Sequence, residues 1–357
     1  MIYSYDVGSL PFEGDYKKFL VEASELGEYF KSKVVKAFID KIKAGVSIPN
    51  YPQFRDMNEM FLEMVDGIIK INGEFLAEKS LKVKGGGFIP EVKVLKDNLK
   101  EIYEKVGFEV KVKICITGPH TLSYMFKYRD PELFLQLADV LGEIVEANIF
   151  SVKEGSVKIV SVDEPLFSVV DDPQLDYGSD GREALIKAWE KIFYKAYSRN
   201  VKTVLHLHNT RDELYFAVKS LKIIETHVED QFYFSKYAKE MVEKNDKLIK
   251  ASISITDFDK LLQQKLEKLY PDKDKGIILK KMGEIWGEIR RGKVNPEEFL
   301  EDEEILRRRL KKIVEFFGIE RVPYAGAECG LRGFPTYNVA LKCLEKVSNV
   351  VKNFKNV

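Results

Sequence analysis

The chain of 357 residues is poor in cysteine, histidine and tryptophan, with three, four and two of them respectively. A small and odd number of cysteines argues against a disulfide framework and indicates a reducing compartment, the cytoplasm. The 57 basic and 57 acidic residues cancel, so the overall charge favours neither nucleic acid nor an anionic membrane as a partner. The sequence also lacks a secretory leader and any apolar run of about 18 residues, which predicts no membrane-spanning helix. These absences favour a cytoplasmic protein that acts on small molecules.

Short apolar runs alternate with amphipathic stretches of helix length along nearly the whole chain. The runs predict strands at 2–6, 68–73, 110–117, 157–162, 202–208, 221–225, 247–253 and 321–326. Eight strands separated by helices are typical of a (β/α)8 TIM barrel. A doubly wound open sheet is the alternative, but no Gly-x-Gly-x-x-Gly sequence follows the first run. We therefore expect one α/β barrel domain over 1–357, with an extra helical insertion at about 257–302 after the seventh strand.

Three residues with metal-binding chemistry stand at the ends of separate apolar runs: His208, Glu225 and Cys329. Because the carboxyl ends of barrel strands face one mouth, we expect the three side chains to converge there. Zinc accepts an imidazole, a carboxylate and a thiolate, and three protein ligands leave a fourth position open for a substrate. A thiol entering that position would lose its proton and become a nucleophile. The pattern predicts a zinc-dependent, thiol-alkylating enzyme; the alternative is that each residue merely ends a strand.

Carboxylates mark two further strand ends, with Glu74 after one run and Asp163 and Glu164 after another. Acidic groups at a barrel mouth suit a ligand with an amino group, which they hold by charge-assisted hydrogen bonds. We predict catalytic roles for Asp163 and Glu164, and amino-group binding by Glu74 and Asp163. The alternative is that Asp163 and Glu164 pair with arginines or cap loops.

Three of the four histidines fall within 22 residues, at positions 206, 208 and 227. In a chain so poor in histidine, this clustering indicates metal binding or acid–base chemistry. His206 and His208 share one face of a strand because side chains alternate with a period of two. His208 is nearer the strand end and is the predicted ligand, whereas His206 is expected to pack one layer below.

Taken in order, several motifs resemble the C-terminal catalytic barrel of cobalamin-independent methionine synthase and its stand-alone archaeal relatives. They are Gly8-Ser9-Leu10-Pro11, Asn72-Gly73-Glu74, Gly118-Pro119-His120-Thr121-Leu122, Asp163-Glu164-Pro165, Leu205-His206-Leu207-His208, Ile224-Glu225-Thr226 and Cys329-Gly330-Leu331-Arg332-Gly333-Phe334-Pro335. Each motif alone is weak, but the ordered set is specific and covers nearly the whole chain. The resemblance implies methyl transfer to homocysteine sulfur on a zinc ion held by His, Cys, Glu and Cys. It implies metal ligands at His208, Glu225 and Cys329, and amino-acid binding at Ser9, Glu74 and Asp163.

The chain departs from that family pattern in three places. Thr210 stands where the first zinc cysteine follows the histidine, so the metal would have three protein ligands or recruit His206, His227 or water. Met125 stands where folate-using members have a tryptophan, and the stretch 251–256 lacks their proton-donating histidine. The second and third departures argue against methyltetrahydrofolate. A short chain without the family's N-terminal barrel suggests methylcobalamin or a corrinoid protein as the methyl donor, or a different reaction.

Two other readings of the same barrel remain open. One is a lyase similar to uroporphyrinogen decarboxylase, which needs no zinc; no arginine-rich mouth for a polycarboxylate is evident near the first strand. The other is a paralogue without catalysis that binds an amino acid or partners an active copy. Metal analysis distinguishes the methyltransferase from both.

Overall fold

The structure, a computed structural model, describes residues 1–355. Strands β1 to β10 are Tyr3–Ser4, Val65–Ile71, Glu74–Val83, Val110–Thr117, Ser151–Val152, Gly155–Glu164, Lys202–Leu207, Ile223–Glu225, Leu248–Ser254 and Tyr324–Ala327. Helices α1 to α13 are Tyr16–Ala23, Glu28–Lys43, Glu59–Leu62, Pro90–Asp97, Leu99–Val106, Pro119–Ser123, Pro131–Asn148, Asp180–Tyr197, Lys236–Lys244, Phe258–Leu269, Lys275–Arg290, Glu303–Phe317 and Tyr337–Lys352. Short 3-10 turns lie at Gly85–Gly87, Pro173–Leu175, Leu214–Ala217, Gln231–Phe234 and Pro296–Phe299.

The strands form a closed parallel barrel. Seven of them lie side by side in the order β1, β10, β9, β8, β7, β6 and β4. The extended segment 46–53 joins the two edges, because Ile48 pairs in parallel with Tyr5 and Asn50 pairs in parallel with Lys113 of β4. With this segment as the eighth strand, the arrangement confirms the predicted TIM-barrel fold class.

The predicted second barrel strand, 68–73, is wrong. That stretch belongs mostly to β2, which pairs antiparallel with β3 in a hairpin outside the barrel. Asn72 and Gly73 form its turn with φ of 53° and 90°, which is the left-handed backbone that Asn-Gly hairpin turns require. The true strand at 46–53 contains two prolines, which interrupt an apolar run and remove amide donors, so no strand pattern is visible there.

The barrel wall is buried on both faces, which is why its strands are continuous apolar runs. Ile114, Ile116 and Val162 are fully covered, with helices such as α7 and α8 packed outside the sheet. The protein interior also holds buried ion pairs, among them Lys250 with Glu225.

Among residues 1–355, no helix has both the length and the apolar character needed to cross a bilayer.

Helices α10 and α11 and a 3-10 turn occupy the predicted insertion after β9, the seventh barrel strand. Trp286 of α11 packs against Phe258 of α10 with ring centroids 5.3 Å apart, and Met282 and Ile289 on the same stripe are buried. The apolar stripe of α11 is therefore packed against its neighbour helix. The described residues of this insertion do not line the cavity at the barrel mouth.

Candidate active site

A cavity of about 300 Å³ opens at the carboxyl ends of the barrel strands. The residues that matter to its chemistry are Ser9, Asp163, His206, His208, Cys329 and Arg332. They come from different strand ends and the loops that follow, which is where parallel barrels build their sites. Ser9, Asp163, His208 and Cys329, chosen from the sequence, thus share one cavity, while the roles assigned to them remain predictions.

One thiol and three imidazoles converge beside this cavity. The ligand atoms of His206, His208, His227 and Cys329 all lie within 4.8 Å of one another. Sγ of Cys329 is 3.5 Å from Nε2 of His208. Both ring nitrogens of His206 and Nε2 of His227 are buried without a hydrogen-bond partner. Buried, unsatisfied nitrogens next to a thiol are suited to a zinc ion, which takes nitrogen and sulfur ligands.

The electrostatics of this group favour an ionised thiol. Burial opposes ionisation of Cys329, but its contacts with the three histidines outweigh burial and hold its pKa well below the usual value. Burial alone would lower the pKa of His206, yet the charge of Glu225 raises it to about 10. Burial lowers the pKa of His208, which keeps that imidazole neutral. A thiolate and a neutral imidazole are the forms that bind a metal cation.

Glu225 is engaged elsewhere. It is fully buried; Lys250 Nζ donates to its Oε1 at 2.7 Å and the Tyr5 hydroxyl donates to its Oε2 at 2.8 Å. Burial opposes its ionisation, but the charges of Lys250 and His206 hold its pKa well below the usual range. His206, Glu225 and Lys250 are register neighbours on β7, β8 and β9, so they form one layer of the barrel interior. His208 lies two residues nearer the mouth than this layer.

The predicted amino-acid-binding residues are only partly brought together. Asp163 is 4% exposed at the end of β6 and accepts a hydrogen bond of 2.6 Å from Ser161; burial raises its pKa. Ser9 lies across the cavity, where its carbonyl accepts from the amide of Leu331 at 2.9 Å. Glu74, by contrast, is exposed at the turn of the β2–β3 hairpin and does not line the cavity. Its binding role stays a prediction that would require the hairpin to approach the mouth.

Glu164 makes structural contacts. Its fully buried carboxylate accepts hydrogen bonds from the amides of His120 at 3.0 Å and Thr121 at 2.7 Å, and from Trp189 Nε1 at 2.9 Å. A side chain at Gly118 would collide with this carboxylate, so the glycine permits the close approach. These contacts hold the first turn of α6 against β6, so the structure gives Glu164 the role of fixing that turn in place. The catalytic role predicted for it is untested.

We expect Glu164→Ala to destabilise the fold. Each buried donor left without a partner costs about 1–3 kcal/mol, and three donors lose their acceptor. Chemical denaturation should show a clearly lower midpoint than that of the wild type. Loss of enzymatic activity in a variant of unchanged stability would instead support the predicted catalytic role of Glu164.

Sequence reasoning left His227 as an alternative and overlooked Lys250. The signal for His227 was present, since it follows Glu225 by two residues at a strand end. The signal for Lys250 was a lysine inside the apolar run of β9, where a buried charge requires a partner. Neither signal shows which residue His227 or Lys250 contacts, because those contacts join residues that are far apart in the sequence.

Fold and site together define a TIM-barrel protein with a nitrogen and sulfur donor group at the position of a barrel active site. No protein-family model matches the chain. It is 28% identical over 149 residues to a methionine synthase of Saccharolobus solfataricus, covering 40% of this chain and 44% of the relative. It is 24% identical over 199 residues to a methionine synthase of Sulfolobus acidocaldarius, covering 52% of this chain and 53% of the relative.

Among solved structures, the fold is similar to a B12-independent methionine synthase from Shewanella sp. W3-18-1 in complex with selenomethionine. The TM-score is 0.61 at 14% sequence identity, over 99% of this chain and 97% of that one. These comparisons confirm the resemblance to the cobalamin-independent methionine synthase family. The chain spans about half the length of the curated relatives it matches.

Proposed function

We propose that this protein transfers a methyl group to the sulfur of a small thiol, homocysteine first, at a zinc site in the barrel mouth. The observation that carries the proposal is the convergence of Cys329 with three histidines beside the cavity that contains Asp163. A bound zinc ion supplies Lewis acidity that favours the thiolate form of a substrate thiol at neutral pH. Cys329 and His208 are the ligands common to the sequence prediction and this donor group.

The cavity offers charges for the rest of an amino acid. Asp163 would hold the ammonium group, and Ser9 lies near the expected position of the carboxylate. The exposed guanidinium of Arg332 on the same cavity wall adds a counter-charge for that carboxylate. Arg55 also lines the cavity, but its guanidinium forms a paired hydrogen bond with Glu91 at 2.8 and 2.9 Å. Arg332 donates from Nη1 to the carbonyl of Arg55 at 3.5 Å but pairs with no carboxylate among the described residues. One such arginine suits an amino acid better than a polycarboxylate, which disfavours the decarboxylase-like alternative.

For the methyl donor we propose a methylcorrinoid, free or carried by a protein, rather than methyltetrahydrofolate. Met125 offers no aromatic face for a pterin ring, and its sulfur lies 3.8 Å from the side-chain amide of Asn58. The segment after β9 likewise presents Thr256, whose amide donates to Glu328 at 2.9 Å, and no histidine. The folate-specific features are thus absent from the sequence at both positions.

The function is tested by direct assay of the zinc-loaded protein. Methylcobalamin and homocysteine should yield methionine, detected by mass spectrometry, and methyltetrahydrofolate should yield none. Omitting either substrate provides the background rate. Zinc-loaded protein that forms no methionine from homocysteine with any methyl donor would contradict the proposal, whereas product from methyltetrahydrofolate would overturn only the donor.

We expect Asp163→Asn to shift the thermal protection that homocysteine gives to the wild type to at least about tenfold higher homocysteine concentration. A hydrogen bond to a charged group contributes about 1.5–3 kcal/mol, so affinity should fall by about tenfold or more. Thermal unfolding at increasing homocysteine concentration measures the loss, because a ligand that binds only the native state raises the midpoint.

Glu74→Gln is the matched comparison for that experiment. If the hairpin stays where the structure has it, this variant should be protected as the wild type is. Equal protection of the wild type and Asp163→Asn would show that Asp163 does not bind the ammonium group.

A further inference from the structure

The donor group differs from the ligand set that the sequence resemblance implies, and the difference is specific. We infer that His227 replaces Glu225 as a metal ligand in this chain, so that the ion is held by His208, His227 and Cys329. The inference rests on the proposed metal site and concerns which side chains build it. Four observations support it.

The first observation is that both carboxylate oxygens of Glu225 already accept a hydrogen bond from a buried side chain. Lys250 occupies Oε1 and Tyr5 occupies Oε2, and all three side chains are buried. Lys250 also donates to the carbonyl of Ala327 and lies 3.2 Å from Ser252 Oγ, so it is fixed beneath the mouth. If Glu225 turned toward a metal, it would leave a buried lysine without its counter-charge, which is strongly unfavourable.

The second observation concerns Thr210, which stands where the family has a cysteine. Its hydroxyl donates to Oδ1 of Asp230 at 2.5 Å. The side chain is therefore committed to the loop that follows β8. The position that would supply a second thiolate contributes neither sulfur nor a free oxygen.

The third observation is that the imidazole of His227 lies close to that of His208 and has a ring nitrogen free to bind a metal. Its ring centroid is 4.1 Å from that of His208, the shortest of the three distances among the clustered imidazoles. Its Nε2 is buried and has no hydrogen-bond partner in the structure. His206 is farther from both rings, at 5.4 and 5.9 Å, and its Nδ1 lies 3.3 Å from Glu225. His206 therefore belongs to the layer below the proposed metal position, beside the Glu225–Lys250 ion pair.

The fourth observation is the charge of the site. Lys250 neutralises Glu225, so the layer beneath the donors adds no negative charge to a divalent ion. A metal binds imidazole only in its neutral form, so one thiolate and two imidazole ligands leave a net formal charge of about +1 on a divalent ion. Such a site attracts an anionic thiolate, and three protein ligands leave the fourth position of a tetrahedral ion open for it.

Metal affinity of the full-length chain, measured by competition with a chelator, tests the inference. His227→Ala should weaken zinc binding by at least about 100-fold, since loss of even an outer-shell partner costs about 10–100-fold. Glu225→Gln should change the affinity by less than tenfold, and so should Thr210→Cys, because position 210 faces Asp230. His227→Gln serves as a second variant of similar size, and thermal unfolding confirms that each variant is folded.

Cobalt substitution gives a readout that is independent of activity. The Co²⁺-loaded wild type should show a thiolate-to-cobalt absorption of single-thiolate intensity, which persists in Glu225→Gln and changes in His227→Ala. Retention of zinc by His227→Ala together with its loss in Glu225→Gln would overturn the inference and leave the proposed function standing. Failure of the wild type to bind zinc above background would instead overturn the proposed function itself.

Discussion

Under the proposed function, replacing Cys329 with alanine should abolish most zinc binding and, with it, methyl transfer to homocysteine. Cys329 is the one sulfur in the described donor group, and its contacts with three histidines hold its pKa well below the usual value. Without it, the donor group keeps imidazoles alone, so we expect zinc affinity to fall by more than about 100-fold. The metal content of protein purified without chelator, measured by atomic emission, checks this directly.

The fold should survive this change, because Cys329 is half-buried in the loop after β10 and contributes little to the core. Cys343→Ala is the matched control. Cys343 is buried on α13 beside Ser254, with Oγ and Sγ 3.5 Å apart, and it does not belong to the donor group. This control should keep its zinc and lose only modest stability. Equal zinc content in wild type and Cys329→Ala would contradict the proposed metal site.

Lys250→Met should be the most destabilising of the substitutions proposed for the barrel interior. Lys250 and Glu225 are both fully buried, with their charged atoms 2.7 Å apart. Removing one partner of a buried pair leaves an uncompensated charge and costs about 3–5 kcal/mol. Chemical denaturation of metal-free protein should show a correspondingly lower midpoint than the wild type.

The double variant Glu225→Met with Lys250→Met is the informative control. Replacing both partners by apolar side chains is often neutral, so most of the stability lost in Lys250→Met should return. Zinc should still bind to the double variant, since His208, His227 and Cys329 are intact. A double variant as unstable as Lys250→Met would show that packing, or the loss of the acceptor for Tyr5 and of the charge beside His206, and not the unpaired carboxylate, causes the instability.

Much of the architecture could be predicted from the sequence because local patterns encode it. Parallel strands that are buried on both faces appear as continuous apolar runs, and seven predicted runs overlap barrel strands. The eighth prediction failed because 46–53 pairs through isolated bridges and carries two prolines, whereas 68–73 is an apolar run that ends in the Asn-Gly turn of a hairpin. An apolar sequence pattern predicts that a strand forms more reliably than it predicts which strands pair with it.

The same distinction applies to the site. The sequence by itself determined that Asp163, His208 and Cys329 lie at one mouth, because strand ends in a parallel barrel share an edge. Only the tertiary structure decided which side chains satisfy one another. Strand register aligns His206, Glu225 and Lys250 from three separate strands, so Lys250 pairs with the carboxylate of Glu225. The buried Nε2 of His227 has no hydrogen-bond partner. Contacts between strands depend on register and depth in the barrel, which the spacing of residues along one strand does not specify.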